Sequence, residues 1–172
     1  DFSISRNLAN RLMQPMTQPG FFALGLTAHN PFVPPLNFWN LYGSNNPSIA
    51  LPYWNSTLTV MGNNANGIVP PVAPGNDRDD IPPIAIDPEN SLVKEYSDWQ
   101  KSIQAYYAEI SAMDRNVGLV LDAIDSKNLW SNTIVIFTSD HGQHLGEHNG
   151  IWRKNTLFEE SLKVPLIVCA PG

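Results

Sequence analysis

The chain has 172 residues, 42% hydrophobic and 15% charged, enough apolar material for one ordinary core and too much for a disordered polypeptide. A formal charge of −6 with no basic stripe to offset it excludes a general nucleic-acid binder, although a few local cations can still govern a pocket for a small anion. No apolar run reaches the length of about 18 residues needed to span a bilayer, and the single Cys169 rules out an internal disulfide framework.

Asp1-Phe2-Ser3 shows neither an initiator Met nor a leader, and Pro171-Gly172 follows directly on a strand-like run, so both ends read as cut. Ser5 to Met13, with Leu8 and Leu12 four apart, reads as the end of a helix. Phe21 to Leu26 is a short apolar run after Pro19-Gly20 and reads as a buried strand, followed by a polar turn that carries His29. Thirteen of the 15 prolines lie between Pro15 and Pro88. Long irregular stretches of this kind are uncommon inside compact domains and usually have a surface or functional role. The aromatic residues Phe38, Trp39, Tyr42, Tyr53 and Trp54 make it a packed loop rather than a linker.

From residue 98 to 125 the spacing predicts one helix. Trp99, Ile103, Tyr106, Ile110, Met113, Val117, Leu121 and Ile124 recur at intervals of three and four, one apolar stripe whose expected role is core packing on a sheet. Gly118 is the weak point of that helix, and Lys127-Asn128 supplies a basic end and a C-cap. Thr133 to Phe137 and Val164 to Cys169 read as strands. Strand, long helix and strand together predict a βαβ crossover, and hence an α/β fold with a largely parallel sheet flanked by helices.

Open α/β sheets bind ligands beyond the carboxyl ends of their strands. Two polar clusters fall at such ends: His29 after the first strand, and Thr138-Ser139-Asp140-His141-Gly142 after the second. Asp140 and His141 are adjacent and would point apart in an extended segment, so only a turn at Gly142 lets both face one ion. A carboxylate and an imidazole suit Ca²⁺, Mn²⁺ or Zn²⁺, with further ligands required from elsewhere.

Ser139-Asp140-His141-Gly142, Leu145-Gly146-Glu147-His148, Trp152 and Lys154, Phe158-Glu159-Glu160, and Val164-Pro165-Leu166-Ile167 occur in an order that closely resembles the sulfatase family of the alkaline phosphatase superfamily. Tyr106-Tyr107-Ala108, Met113-Asp114 and Val117-Gly118 are similar to that family's preceding helix, and Phe21-Phe22 through His29-Asn30-Pro31 to its early strand and turn. The resemblance covers residues 20–39 and 96–172 and lies nearest the iduronate-2-sulfatase and choline-sulfatase-like branch. It implies an alkaline-phosphatase-like sulfatase fold, with residues 1–172 a partial catalytic domain and 37–97 a variable loop region within it.

The resemblance further implies that Asp140 and His141 ligate a metal, normally Ca²⁺, that Lys154 holds the sulfate and leaving-group oxygen, and that His29 contacts sulfate or protonates the leaving group. Those roles agree with the chemistry, because sulfate ester cleavage builds negative charge on the ester oxygen. Asn30 and Phe32 replace residues that are often lysine and histidine in this branch, and Asn149 is one extra residue before Gly150, which leaves Arg153 as the fallback for Lys154. His144 and His148 read as loop-fixing hydrogen-bonders. The family's nucleophile is a formylglycine made from a cysteine in a cysteine-x-proline-serine-arginine motif. Cys169-Ala170-Pro171-Gly172 begins that way and then departs from it, so Cys169 reads as a buried strand thiol and the nucleophile is expected outside this chain. Asp79-Asp80 reads as surface loop, not as the family's early metal-binding pair.

The expected activity is therefore a sulfuric ester hydrolase acting on a sulfated small molecule or sugar, inactive as this segment alone and completed by the remainder of the domain. Two alternatives remain open: a phosphonate monoester or phosphodiester hydrolase of the same superfamily using Mn²⁺ or Zn²⁺, and a non-catalytic, degenerate sulfate binder. Export or a lysosomal location is what the resemblance implies, and Asn55-Ser56-Thr57 is a glycosylation sequon.

Overall fold

The computed structural model describes residues 1–29, 32–42, 54–55, 67–68 and 96–171. Asn30, Tyr53, Ser56-Thr57 and Asp79-Asp80 lie outside the described residues, as does most of the 37–97 loop region. The described elements are α1 (Phe2–Leu12), α2 (Leu36–Trp39), β1 (Trp54–Asn55), β2 (Gly67–Ile68), α3 (Tyr96–Ser126), β3 (Val135–Thr138), β4 (His144–Leu145), α4 (Glu147–Gly150), β5 (Trp152–Arg153), α5 (Glu159–Leu162) and β6 (Leu166–Cys169).

Helix α3 runs unbroken through Gly118, two residues longer than the expected span 98–125 at its start and one at its end. A Cβ at Gly118 would meet nothing within 4 Å, so the helix gains no packing there and carries a cost of about 1 kcal/mol relative to alanine. The helix ends as its sequence dictates. Asn128 takes the left-handed conformation at φ 51°, and its N–H donates to the Asp125 carbonyl at 2.9 Å.

Two small cores form along α3. Near its end, Ala123 and Ile124 pack with Leu12 of α1, joined by Leu8, Ala9, Val120, Leu121, Trp130 and Val135 of β3. Near its start, Ile103 packs with Trp152 of β5, flanked by Phe32, Tyr107 and Leu145. Full burial of a side chain such as Ile103, which is 2% exposed, is worth about 1.5–3 kcal/mol. The stripe is thus buried at Ile103 and Ile124, while Tyr106, Ile110, Met113, Val117 and Leu121 are half-buried. Among the described residues its main partners are α1 and α2, while the β4–β5 hairpin reaches it through Leu145 and Trp152 and β3 through Val135. The Gln104 amide pins α2 by donating to the carbonyls of Trp39 at 3.1 Å and Tyr42 at 2.6 Å.

The chain is α/β, but all three ladders among the described residues are antiparallel: β1 with β2, β3 with β6, and β4 with β5. Among the described residues no parallel ladder from Phe21–Leu26 closes the expected crossover. That segment is described without strand structure, and Phe21 is 93% exposed. Hydrophobic runs specify extended chain and a face, but not which strand pairs with which. The pairing that forms is Val135 to Thr138 against Cys169 to Leu166. It leaves Ile134, Ile136, Leu166 and Val168 exposed. Cys169 lies on a strand as expected, but is exposed rather than buried, because no layer among the described residues covers β6.

Candidate active site

The ends of β3 and β6 set the frame. Thr138 pairs with Leu166, and the chain leaves β3 directly into Ser139, Asp140 and His141. This turn is held by its own polar groups: the His141 N–H donates to Asp140 Oδ1 at 3.0 Å, and Ser139 Oγ donates to the His141 carbonyl at 2.8 Å. Gly142 closes it by donating its N–H to the Ser161 carbonyl of α5 at 2.8 Å. The glycine is required for proximity rather than for a positive φ. A Cβ there would stand 2.0 Å from the Glu160 carbonyl oxygen, so only a hydrogen fits between the turn and α5.

Desolvation pushes the Asp140 carboxyl up. The His141 ring, the N–H groups of Asp140 and His141, and the Lys154 ammonium outweigh it and hold the carboxyl below its usual range. The Gly142 carbonyl can only accept, so the His141 Nδ1 at 2.9 Å carries the hydrogen and, in the neutral ring, Nε2 keeps its lone pair. That Nε2 is 3.6 Å from Asp140 Oδ2, an edge two ligands can span when each stands about 2.0–2.6 Å from one ion. Among the described residues no third His, Cys, Asp or Glu joins them, so the pair offers one edge of a metal site and the remaining donors would come from elsewhere.

Lys154 is delivered by the β4–β5 hairpin. His144 pairs with Arg153 and Leu145 with Trp152 across it. Its turn is built on Gly146 at φ 110°, where a side chain would be strained, and on the Ile151 N–H donating to the Glu147 carbonyl at 2.9 Å. Arg153 is left-handed at φ 76° and turns the chain out of β5 into Lys154. Because His144 sits opposite Arg153, the arm carrying Asp140 and His141 and the arm carrying Lys154 leave the same end of the hairpin. His29, 125 residues earlier, reaches this point as well: its Nε2 contacts Lys154 Nζ. Three of the four site residues read from the sequence are therefore linked through Lys154, which touches His29 and acts on the Asp140 carboxyl, while His141 adjoins Asp140. The contact to His29 is made by Lys154.

Behind the site lies a buried cluster whose extent the sequence did not reveal. His144 is fully buried, with Nε2 2.7 Å from Thr156 Oγ1, which in turn lies 3.0 Å from Ser161 Oγ. His148 stacks on Phe158 with ring centroids 4.0 Å apart and sits 3.2 Å from Glu160 Oε2. Desolvation pushes the Glu147 carboxyl up, but the approach of His144 Nδ1 at 3.7 Å and a 2.6 Å hydrogen bond from the Leu145 N–H hold it below its usual range. The histidines were legible as loop-fixing groups. Burial of Thr156 and Ser161 was not, because isolated hydroxyls carry no periodic signal.

Cys169 sits at the other end of the ribbon, paired with Val135, three residues and thus about 10 Å along the strand from the Thr138 end. A shallow depression there, lined by Trp130, Ser131, Cys169, Ala170 and Pro171, is separate from the Asp140 turn.

The sulfatase family profile matches residues 40–172. An iduronate 2-sulfatase of Mus musculus is 36% identical over 170 residues, covering 95% of this chain and 29% of that protein. A sulfatase of Formosa agariphila is 36% identical over 163 residues, 90% of this chain and 28% of its own length. A choline-sulfatase of Rhizobium meliloti is 41% identical over 73 residues, 42% of this chain and 14% of its own length. The chain belongs to the sulfatase family. It spans less than a third of the length of these relatives.

Proposed function

We propose that the chain forms the later part of a sulfuric ester hydrolase, supplying the cation that meets the leaving group and one edge of a divalent metal site. The observation that carries this reading is the meeting of Lys154 with His29 beside the Asp140–His141 turn, from segments far apart in sequence. Lys154 binds the tetrahedral anion and stabilises charge that grows on the bridging oxygen as its bond to sulfur breaks. His29 contacts the sulfate in the same place: the ammonium can only donate, so His29 Nε2 accepts from it and orients it, and the proton that the departing oxygen needs is supplied by the Lys154 ammonium. Asp140 and His141 would hold the metal, Ca²⁺ by family resemblance. Such an ion, when bound, polarises the sulfuryl oxygens as a Lewis acid. Asp140 is suited to this as a carboxylate held ionised. The nucleophile, a formylglycine in this reading, and the metal's other ligands come from residues beyond these 172. So does the rest of a largely parallel alkaline-phosphatase-like sheet, of which the antiparallel β3–β6 pair would form one margin. The substrate is a sulfated small molecule or sugar.

The test is hydrolysis of p-nitrophenyl sulfate by the full-length protein, with metal analysis of the wild type and the Asp140→Ala variant. The reading expects sulfate ester turnover, and loss of both metal and activity in the variant. Turnover of a phosphonate monoester in place of the sulfate would reassign the enzyme. Metal and sulfate binding without turnover of either would make it a binding protein.

A further inference from the structure

We infer that His144 is a positioning residue which, through Thr156 and Ser161, sets where the Lys154 ammonium stands relative to the Asp140–His141 turn; this rests on the reading of Lys154 given above. His144 follows His141 by three residues, and Thr156 follows Lys154 by two. Their 2.7 Å hydrogen bond therefore joins the two arms just behind the groups they carry. Ser161 closes the connection twice. Its carbonyl accepts from the Gly142 N–H at 2.8 Å, and its Oγ lies 3.0 Å from Thr156 Oγ1. A closed path thus runs from the Asp140–His141–Gly142 turn through Ser161 and Thr156 to His144, and along the backbone back to the turn. Lys154 lies just off that path, two residues before Thr156.

The burial of His144 makes a purely space-filling role a poor account of it. The ring is enclosed, edge-on to His148 at 5.8 Å and to Phe158 at 6.1 Å. Among the described residues its Nδ1 has no hydrogen-bond partner; carboxylate oxygens of Glu147 and Glu160 stand 3.7 Å and 4.0 Å away. A phenyl ring would fill comparable space without burying an unsatisfied nitrogen. What the imidazole adds is the directional bond from Nε2 to Thr156. Buried, fully enclosed hydrogen bonds of this kind fix side-chain and backbone geometry more tightly than apolar contact does. A small displacement of a catalytic cation is enough to lower rate substantially.

The test uses the full-length protein with p-nitrophenyl sulfate, assayed well below each variant's melting temperature. Thr156→Val keeps the shape and removes the hydroxyl. It should lower kcat about tenfold with KM and metal content little changed, and Thr156→Ser should restore kcat to within about twofold. In a Lys154→Ala background, Thr156→Val should lower kcat no further, because it acts through the lysine. His144→Phe and His144→Gln form a second pair should Thr156→Val fail to fold, the glutamine amide reaching towards Thr156 as Nε2 does. Wild-type kcat in folded Thr156→Val, or losses that multiply with those of Lys154→Ala, would overturn the inference. An unchanged kcat in Lys154→Ala alone would instead remove the reading of the lysine on which it stands.

Discussion

Replacing Gly142 by alanine should disrupt the Asp140 turn more than any other single methyl group added to it. The added Cβ would stand 2.0 Å from the Glu160 carbonyl oxygen and 3.0 Å from its carbon, with the Lys163 carbonyl oxygen at 3.2 Å. These are backbone atoms of α5 and its end, so no side chain can swing aside. The turn or α5 must move by roughly 1 Å, and overpacking of this sort costs about 1–3 kcal/mol. The same displacement lengthens the Gly142–Ser161 hydrogen bond of 2.8 Å, worth about 1 kcal/mol more. The expected loss is therefore about 2–4 kcal/mol, measured by urea denaturation of the full-length protein. Because the turn moves bodily, metal content and kcat should fall together, although no ligand has been altered. A variant with wild-type stability, metal and turnover would refute the close approach and the role assigned to this glycine.

Lys154→Ala should lower kcat for an aryl sulfate by about 10²–10³ while changing stability by no more than about 0.5 kcal/mol, since the side chain is partly exposed and its charge is used in the transition state; steady-state kinetics and a melting curve measure the two. Glu147 should contribute stability only on the neutral side. Its folded carboxyl lies below the ordinary value of 4.5, so the unfolded chain binds the proton more readily, and the contribution is full above that value and lost as pH falls through the folded one. Glu147→Gln should therefore be less stable than wild type near neutrality, and the difference should shrink in acid. Melting temperatures of both proteins from neutral pH into acid decide it.

Helix α3 was legible from its spacing alone because one stripe of eight apolar residues leaves few other conformations that bury it. Its end was legible because asparagine tolerates the left-handed conformation that Asn128 adopts. The segment at Phe21 misled because an apolar run shows a preference for burial but not the presence of a strand to pair with. Likewise, nothing in Thr133–Phe137 or Val164–Cys169 states the direction of their pairing, which long-range packing decides. At the site, the Asp140–His141 pair stood out by position after a strand. The reason for Gly142 did not, because the close approach is made by α5, some 20 residues further on. His144, Thr156 and Ser161 are scattered singly along the chain, and only folding makes them one cluster.

The exposed apolar side chains of the β3–β6 ribbon have a practical consequence for handling this polypeptide. Ile136 lies opposite Val168, and Ile134 and Leu166 extend the same exposed apolar surface, with no Lys, Arg, Asp or Glu between Leu166 and Cys169 to discourage another strand from adding on. Produced by itself, the 172-residue chain should self-associate through that ribbon and partition into inclusion bodies or high-molecular-weight species. A charged pair placed at Ile136 and Val168, facing each other across the ladder, should raise its solubility without touching the Asp140 turn. The same two charges in the full-length protein should be poorly tolerated wherever further strands or helices pack against that surface. Comparing how the pair affects recovery of the short and the long polypeptide would show which residues the longer one lays against this face.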